Sequence, residues 1–143
     1  MKKIIVLLAL AAVSLACKKE YYGVTQFVRE FTVQSQHWQL QGIANGYGSY
    51  YTYGYNEPEI TSYVFSGGNV QVFYMPDYDI QVPLPYTEHK GEPDVSFPGG
   101  EHLWTENYSY DFSPGQIYFY FDRSDFQTGN RPPTVKFRMV ITK

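Results

Sequence analysis

The feature that most constrains this chain is an alternation of apolar and polar residues with period two, which begins near Thr25 and recurs as far as Thr142. Its clearest stretch comes last: Val135, Phe137, Met139 and Ile141 fall on one side, and Lys136, Arg138, Val140 and Thr142 on the other. Successive side chains of a strand point to opposite faces, so this order gives a strand one apolar face, whereas a helix would scatter the same residues around its axis. Ile117, Phe119 and Phe121 alternate in the same way with Tyr118, Tyr120 and Asp122, after the turn Ser113-Pro114-Gly115. Val70, Val72 and Tyr74 follow Gly67-Gly68-Asn69, and Trp104, Tyr108, Tyr110 and Phe112 share one parity. Phe27, Phe31 and Val33 lead through the bend Gln34-Ser35-Gln36 to Trp38 and Leu40.

Strand candidates recur roughly every ten to fifteen residues between turn clusters, the spacing of a sandwich or barrel. The expectation is an all-β, antiparallel β-sandwich, immunoglobulin-like or a similar Greek key, of about seven to eight strands. Composition agrees, since aromatics make up 19% of the chain, with 15 Tyr and 10 Phe, and 12 Gly and 9 Pro supply turns. Aromatic side chains suit a pleated, half-buried surface, and Gly and Pro suit the bends between strands. Residues 24–143 contain no linker that would divide them, so they are expected to form a single domain, large enough to fold without disulfides or metal. Residues 58–66 are ambiguous: Glu59-Ile60-Thr61-Ser62-Tyr63-Val64-Phe65 suits one helical turn or a short strand.

The first residues follow a different rule. Met1-Lys2-Lys3 is basic, and Ile4 to Val13 is an unbroken apolar run. Such a run is too short to cross a hydrocarbon core as a helix, which needs about 20 residues, and it fits the apolar centre of a signal peptide spanning residues 1–16. Cys17 is the only cysteine in the sequence, and it stands directly behind Ser14-Leu15-Ala16. This arrangement resembles a bacterial lipobox of the looser kind found in Bacteroidota, in which the cysteine receives a diacylglyceryl thioether. Lipidation of Cys17 would remove a thiol that an oxidising compartment would otherwise pair with another chain. With two or three acyl chains the anchor would be lasting, because a single chain holds only marginally. Residues 17–23 then form a tether that reaches at most about 20 Å from Lys18 to Gly23. Lys18-Lys19-Glu20 resembles the short charged signal that directs many Bacteroidota lipoproteins to the cell surface.

A wider resemblance rests on Trp38, Pro58-Glu59-Ile60, Gly68-Asn69-Val70-Gln71-Val72-Phe73-Tyr74, Pro83-Leu84-Pro85-Tyr86, Ser113-Pro114-Gly115-Gln116-Ile117 and Lys136 to Ile141. Together these segments look like those of small Bacteroidota lipoproteins with a β-sandwich domain. The resemblance implies an exported sandwich in the outer membrane and carries over no catalytic residue.

Candidate chemistry is sparse. His37, His89 and His102 make no close pair of the kind zinc sites use, and are expected at the surface, or for His37 beside a buried Trp38. No GxSxG elbow is present, and Asp94, Glu101, Glu106 and Asp111 have no spacing that would mark a catalytic pair. Asp77-Tyr78-Asp79 and Asp122-Arg123-Ser124-Asp125 are the best calcium candidates, although Asp and Ser equally start turns. The net charge of −3 is the wrong sign for a nucleic-acid partner. The expectation is therefore no enzyme, no metal and no cofactor.

The tyrosine run Tyr47 to Tyr55 is the strongest local feature. As a strand it would set Tyr47, Tyr51, Tyr53 and Tyr55 on one face, with Gly48 and Gly54 opposite. Those rings would either stack on sugars as a ligand-binding surface or pack the sandwich core. The functional expectation is an envelope lipoprotein, held to the membrane by its anchor, that serves as a non-enzymatic binding or interaction module. A glycan-binding accessory of nutrient uptake and a structural or adhesion component are the alternatives, with a glycan or an envelope protein as partner.

Overall fold

The structure is a computed structural model that describes residue 23 and residues 25–143. The expected signal peptide (1–16), Cys17 and most of the tether lie outside the described residues. Nine strands form two antiparallel sheets. The four-stranded sheet contains β1 (Gln26–Val33), β4 (Asn69–Asp77), β5 (Ile80–Pro83) and β9 (Val135–Thr142), in the order β1-β9-β4-β5. The five-stranded sheet contains β2 (Gln39–Gln41), β3 (Tyr50–Asn56), β6 (Tyr86–Pro93), β7 (Glu101–Ser113) and β8 (Gln116–Arg123), in the order β2-β3-β8-β7-β6. The first and last strands pair along their full length, Gln26 with Thr142 through Val33 with Val135. In an immunoglobulin domain those strands would lie in different sheets.

Alternation decides which face each sheet buries. Val135, Phe137, Met139 and Ile141 of β9 point inward, as do Ile117, Phe119 and Phe121 of β8 and Val70 and Val72 of β4. Between the sheets the abundant aromatics form one continuous spine. Tyr55 stacks on Phe31 at 5.0 Å, Phe31 meets Phe119 at 5.3 Å, and Phe119 stacks on Phe137 at 4.7 Å. Phe137 meets Tyr108 at 6.3 Å, Tyr108 stacks on Tyr74 at 5.2 Å, and Tyr74 stacks on Tyr86 at 5.5 Å. Each step crosses from one sheet to the other, so the rings interdigitate and clamp the layers face to face.

The ambiguous segment forms a short helix, α1 (Ser62–Gly67). Thr61 caps it, its hydroxyl accepting the Val64 amide at 3.2 Å, while Val64 is the buried residue that ties the helix to the core. Gly68 closes it where no side chain would fit: a Cβ there would lie 2.6 Å from the Thr142 carbonyl oxygen. The count exceeds the expected seven to eight because β2 and β5 are only three and four residues long. β6 shows no apolar alternation in the sequence because, of this edge strand, Tyr86 is the residue packed against the core, while Glu88 to Pro93 pair with β7.

Candidate functional site

The register fixes two ends of the sandwich. At one, Thr25 and Lys143 exchange backbone hydrogen bonds of 2.9 and 3.0 Å, and the β7–β8 turn at Gly115 bonds to Glu57 and Ile60. At the other lie the loops 42–49 and 124–134 and the β4–β5 turn. Thr25 and Lys143 therefore lie at the end opposite these loops.

The tyrosine run divides between these places, which corrects the idea that Tyr47, Tyr51, Tyr53 and Tyr55 present a ligand-binding face. The odd-numbered positions of β3 point at the core, because Tyr51, Tyr53 and Tyr55 pair in register with Phe121, Phe119 and Ile117 of β8. Tyr51 is buried, and Tyr53 and Tyr55 are half-buried against the core cluster. Tyr47 precedes the strand, is exposed in the loop, and lies 4.9 Å from the ring of Phe126.

The Tyr51 hydroxyl has a structural task, donating to the Thr128 carbonyl at 2.6 Å. Thr128 is the hub of a buried polar clip. Its hydroxyl accepts the Asn45 amide at 3.0 Å and meets the Ser49 hydroxyl at 2.9 Å, while Asn45 Oδ1 accepts the Gly129 amide at 2.7 Å. The two loops are locked together, and the exposed Ile43 and Tyr47 are carried on that rigid base.

His102 is buried rather than at the surface, which the sequence did not suggest. Its ring stacks on Phe97 at 4.5 Å, its Nε2 lies 3.2 Å from Asp125 and its Nδ1 3.5 Å from Glu92. Arg123 grips Asp125 with two bonds of 3.0 and 2.8 Å and covers the Trp104 ring at 4.5 Å. Burial raises the Asp125 carboxyl pKa, but Arg123, the Gln127 amide and His102 outweigh it and hold the group below its usual value. A histidine acting as a base needs one nitrogen free to face a nucleophile. Here each nitrogen faces a carboxylate, so the cluster acts as a small polar core that closes the far half of β6 and β7. The hollow of about 350 Å³ beside it, lined by His89, Lys90, Leu103, Trp104, Thr105 and Ser124, is shallow.

Among the described residues, no group of three His, Cys, Asp or Glu is arranged to hold a metal ion. In the calcium candidates, Asp77 accepts the Tyr78 amide at 2.6 Å in a turn, and Asp125 is committed to Arg123. His37 and His89 are exposed, with His37 6.3 Å from the Tyr53 ring and next to the buried Trp38.

The even-numbered positions of β3 and β8 form a continuous outward surface. Tyr50 of β3 and Tyr118 of β8 are exposed, and Tyr120 lies between them, 6.2 Å from Tyr50. Tyr118 lies over Gly54, where a Cβ would come within 3.1 Å of its ring, and its hydroxyl donates to Gln116 at 2.8 Å. The Tyr120 hydroxyl donates to Asp111 at 2.7 Å. Burial and then the Asp111 carboxylate push the Tyr120 phenol up to about 12. On the same face Asn107 donates to Asp122 at 3.0 Å and accepts from Thr87 at 3.1 Å. The outward register positions of all five strands carry no Lys or Arg.

No family model, curated protein or solved structure matches this chain.

Proposed function

We propose that the chain is a lipid-anchored, non-enzymatic binding module of the cell envelope, fastened to the outer membrane through Cys17. The observation that carries this reading is the polarity of the sandwich. Thr25, to which the tether leads, sits at the end opposite the clipped loops bearing Ile43, Tyr47 and Phe126. An anchor at Cys17 would therefore hold the terminal end near the leaflet and turn the loop end and the sheet faces outward. Among the described residues, the titratable groups whose pKa is displaced belong to aromatic packing, ion pairs and turns, with no convergence in a cleft of the kind that marks catalysis.

The test is metabolic labelling of cells with an alkyne fatty acid. The native protein is expected to carry the label and sediment with membranes, and Cys17→Ser to lose the label and appear in the soluble fraction. Unlabelled native protein with an intact thiol would overturn the reading.

A further inference from the structure

We propose that the open face of the five-stranded sheet is a platform for a neutral oligosaccharide stacked across Tyr50, Tyr120 and Tyr118. Two of the three rings are held in place before any ligand arrives. Tyr118 is laid over Gly54 and tied by its hydroxyl to Gln116, and Tyr120 is tied to Asp111. Both phenols spend their hydroxyl protons on neighbouring side chains, so what they offer outward is ring. Tyr50 stands 6.2 Å from Tyr120, and Tyr118 is two residues further along β8 on the same face, roughly 6.8 Å away. This row of rings suits the C–H faces of consecutive pyranose units.

The polar groups around the rings select the class of ligand. Asp111 and Asp122 offer carboxylate oxygens, and Asn107, Gln41, Gln116, Thr52 and Ser109 occupy outward register positions near them. A polyhydroxylated, uncharged ligand can donate to the carboxylates and exchange bonds with the amides. An anionic glycan or nucleic acid would meet two carboxylates and no cation on this face, a repulsive pairing. The core of a protein–protein interface is depleted of charge, and here the rings are bordered by Asp111 and Asp122. Fixed rings also lower the cost of binding, because little side-chain freedom remains to be lost.

The proposal rests on the reading of the chain as a binding module, and the experiment separates the two. The full-length processed protein, in a detergent without a sugar headgroup, is run through native gels containing neutral polysaccharides (glucans, xylan, mannan, galactan), with polygalacturonate and heparin as acidic comparisons. At least one neutral polymer is expected to retard it. Tyr118→Ala should weaken that retention about ten-fold, the loss of one ring contact, with an unchanged melting temperature, and Tyr120→Ala, which also gives up the bond to Asp111, should weaken it as much in protein still folded at the assay temperature. Gly54→Val keeps every ring but lifts Tyr118 off the sheet, and should weaken retention as well. Tyr47→Ala, at the loop end, should have no effect, and Cys17→Ser protein should be retained like the native form.

Absence of retention by every neutral polymer, stronger retention by the acidic ones, or retention that ignores Tyr118→Ala, Tyr120→Ala and Gly54→Val would overturn the platform. Retention abolished by Tyr47→Ala alone would overturn it while leaving a binding module whose site is the loop end.

Discussion

Glu57 has no exposed surface and keeps its charge company with Arg29, whose Nε lies 2.6 Å from Oε2, while Oε1 accepts the Glu59 amide at 3.3 Å. Arg29 is itself more than a third exposed, so water screens part of the attraction and the pair contributes less than a fully buried one. Removing the partner is worse than never having had the pair, because a carboxylate is then left in the interior without compensation. Arg29→Met is expected to lower stability by about 2–3 kcal/mol, read as a shift of the urea midpoint, and Glu57→Gln by less. Two other residues illustrate how stability depends on pH. Asp125 titrates below its unfolded value in the native state, so its contribution is present above about pH 4 and is lost as pH falls through the native value. Urea midpoints measured downward from pH 5 should therefore fall less steeply in Asp125→Asn than in the native protein. Tyr120 behaves in the opposite sense: with its native value raised from 10 to about 12, its contribution is intact below pH 10 and disappears as pH rises through 12. Asp111→Asn removes the charge that the phenolate would oppose, and ring-labelled NMR should show Tyr120 ionising at a lower pH.

At the level of elements, the loops that carry the exposed rings are held by a few polar groups rather than by apolar packing. Thr128→Val keeps the side-chain shape and deletes the hydroxyl that Asn45 and Ser49 share, leaving the Asn45 amide without that acceptor and the Ser49 hydroxyl with only its longer bond to the Phe126 carbonyl at 3.4 Å. The expected cost is about 1–3 kcal/mol, and hydrogen exchange should quicken in 42–49 and 126–129 while the amides of β9 stay protected. Such a clip could not be read in the sequence, because its residues are some eighty positions apart and threonine, serine and asparagine are ordinary loop residues. The sheets were legible for the converse reason. In β8 and β9 one face is wholly buried and the other wet, so burial is written directly as alternation. β3 defeats that reading because its inner face is built of tyrosines, which suit a surface as well as a core, and only the pairing of Tyr51, Tyr53 and Tyr55 with β8 shows that they belong to the core. The outward rings Tyr50, Tyr118 and Tyr120 were hidden likewise: they come from two strands about seventy residues apart and share a surface only through the β3–β8 register. His102 reads as a surface histidine because its partners Glu92, Phe97 and Asp125 lie on different segments.

For the molecule as a whole, an open sandwich has edges, and each edge strand is a template for another chain. The edges here are β1 and β5 of one sheet and β2 and β6 of the other. β2 and β5 are three and four residues long, and β5 ends at Pro83, which has no amide to donate. β6 carries Glu88, Lys90 and Glu92 and ends at Pro93, and its Gly91 is covered by Leu103, which approaches a Cβ position there to 2.8 Å. β1 is, with β6, one of the two eight-residue edges, yet Arg29 and Glu30 at its middle are occupied by Glu57 and Lys136. Short strands, prolines and central charges all oppose strand addition, so open-ended assembly through the sheets is disfavoured while the faces remain free for a ligand. The anchor-free Cys17→Ser protein is accordingly expected to sediment as a monomer in analytical ultracentrifugation over a hundred-fold range of concentration. The interior supplies the cohesion instead, and Phe137→Ala, which removes the ring at the centre of the spine, should cost about 3–5 kcal/mol. A concentration-dependent dimer that Glu30→Pro, a break in the middle of β1, abolishes would show that this edge pairs after all, and would restore the structural or adhesion role as the better account.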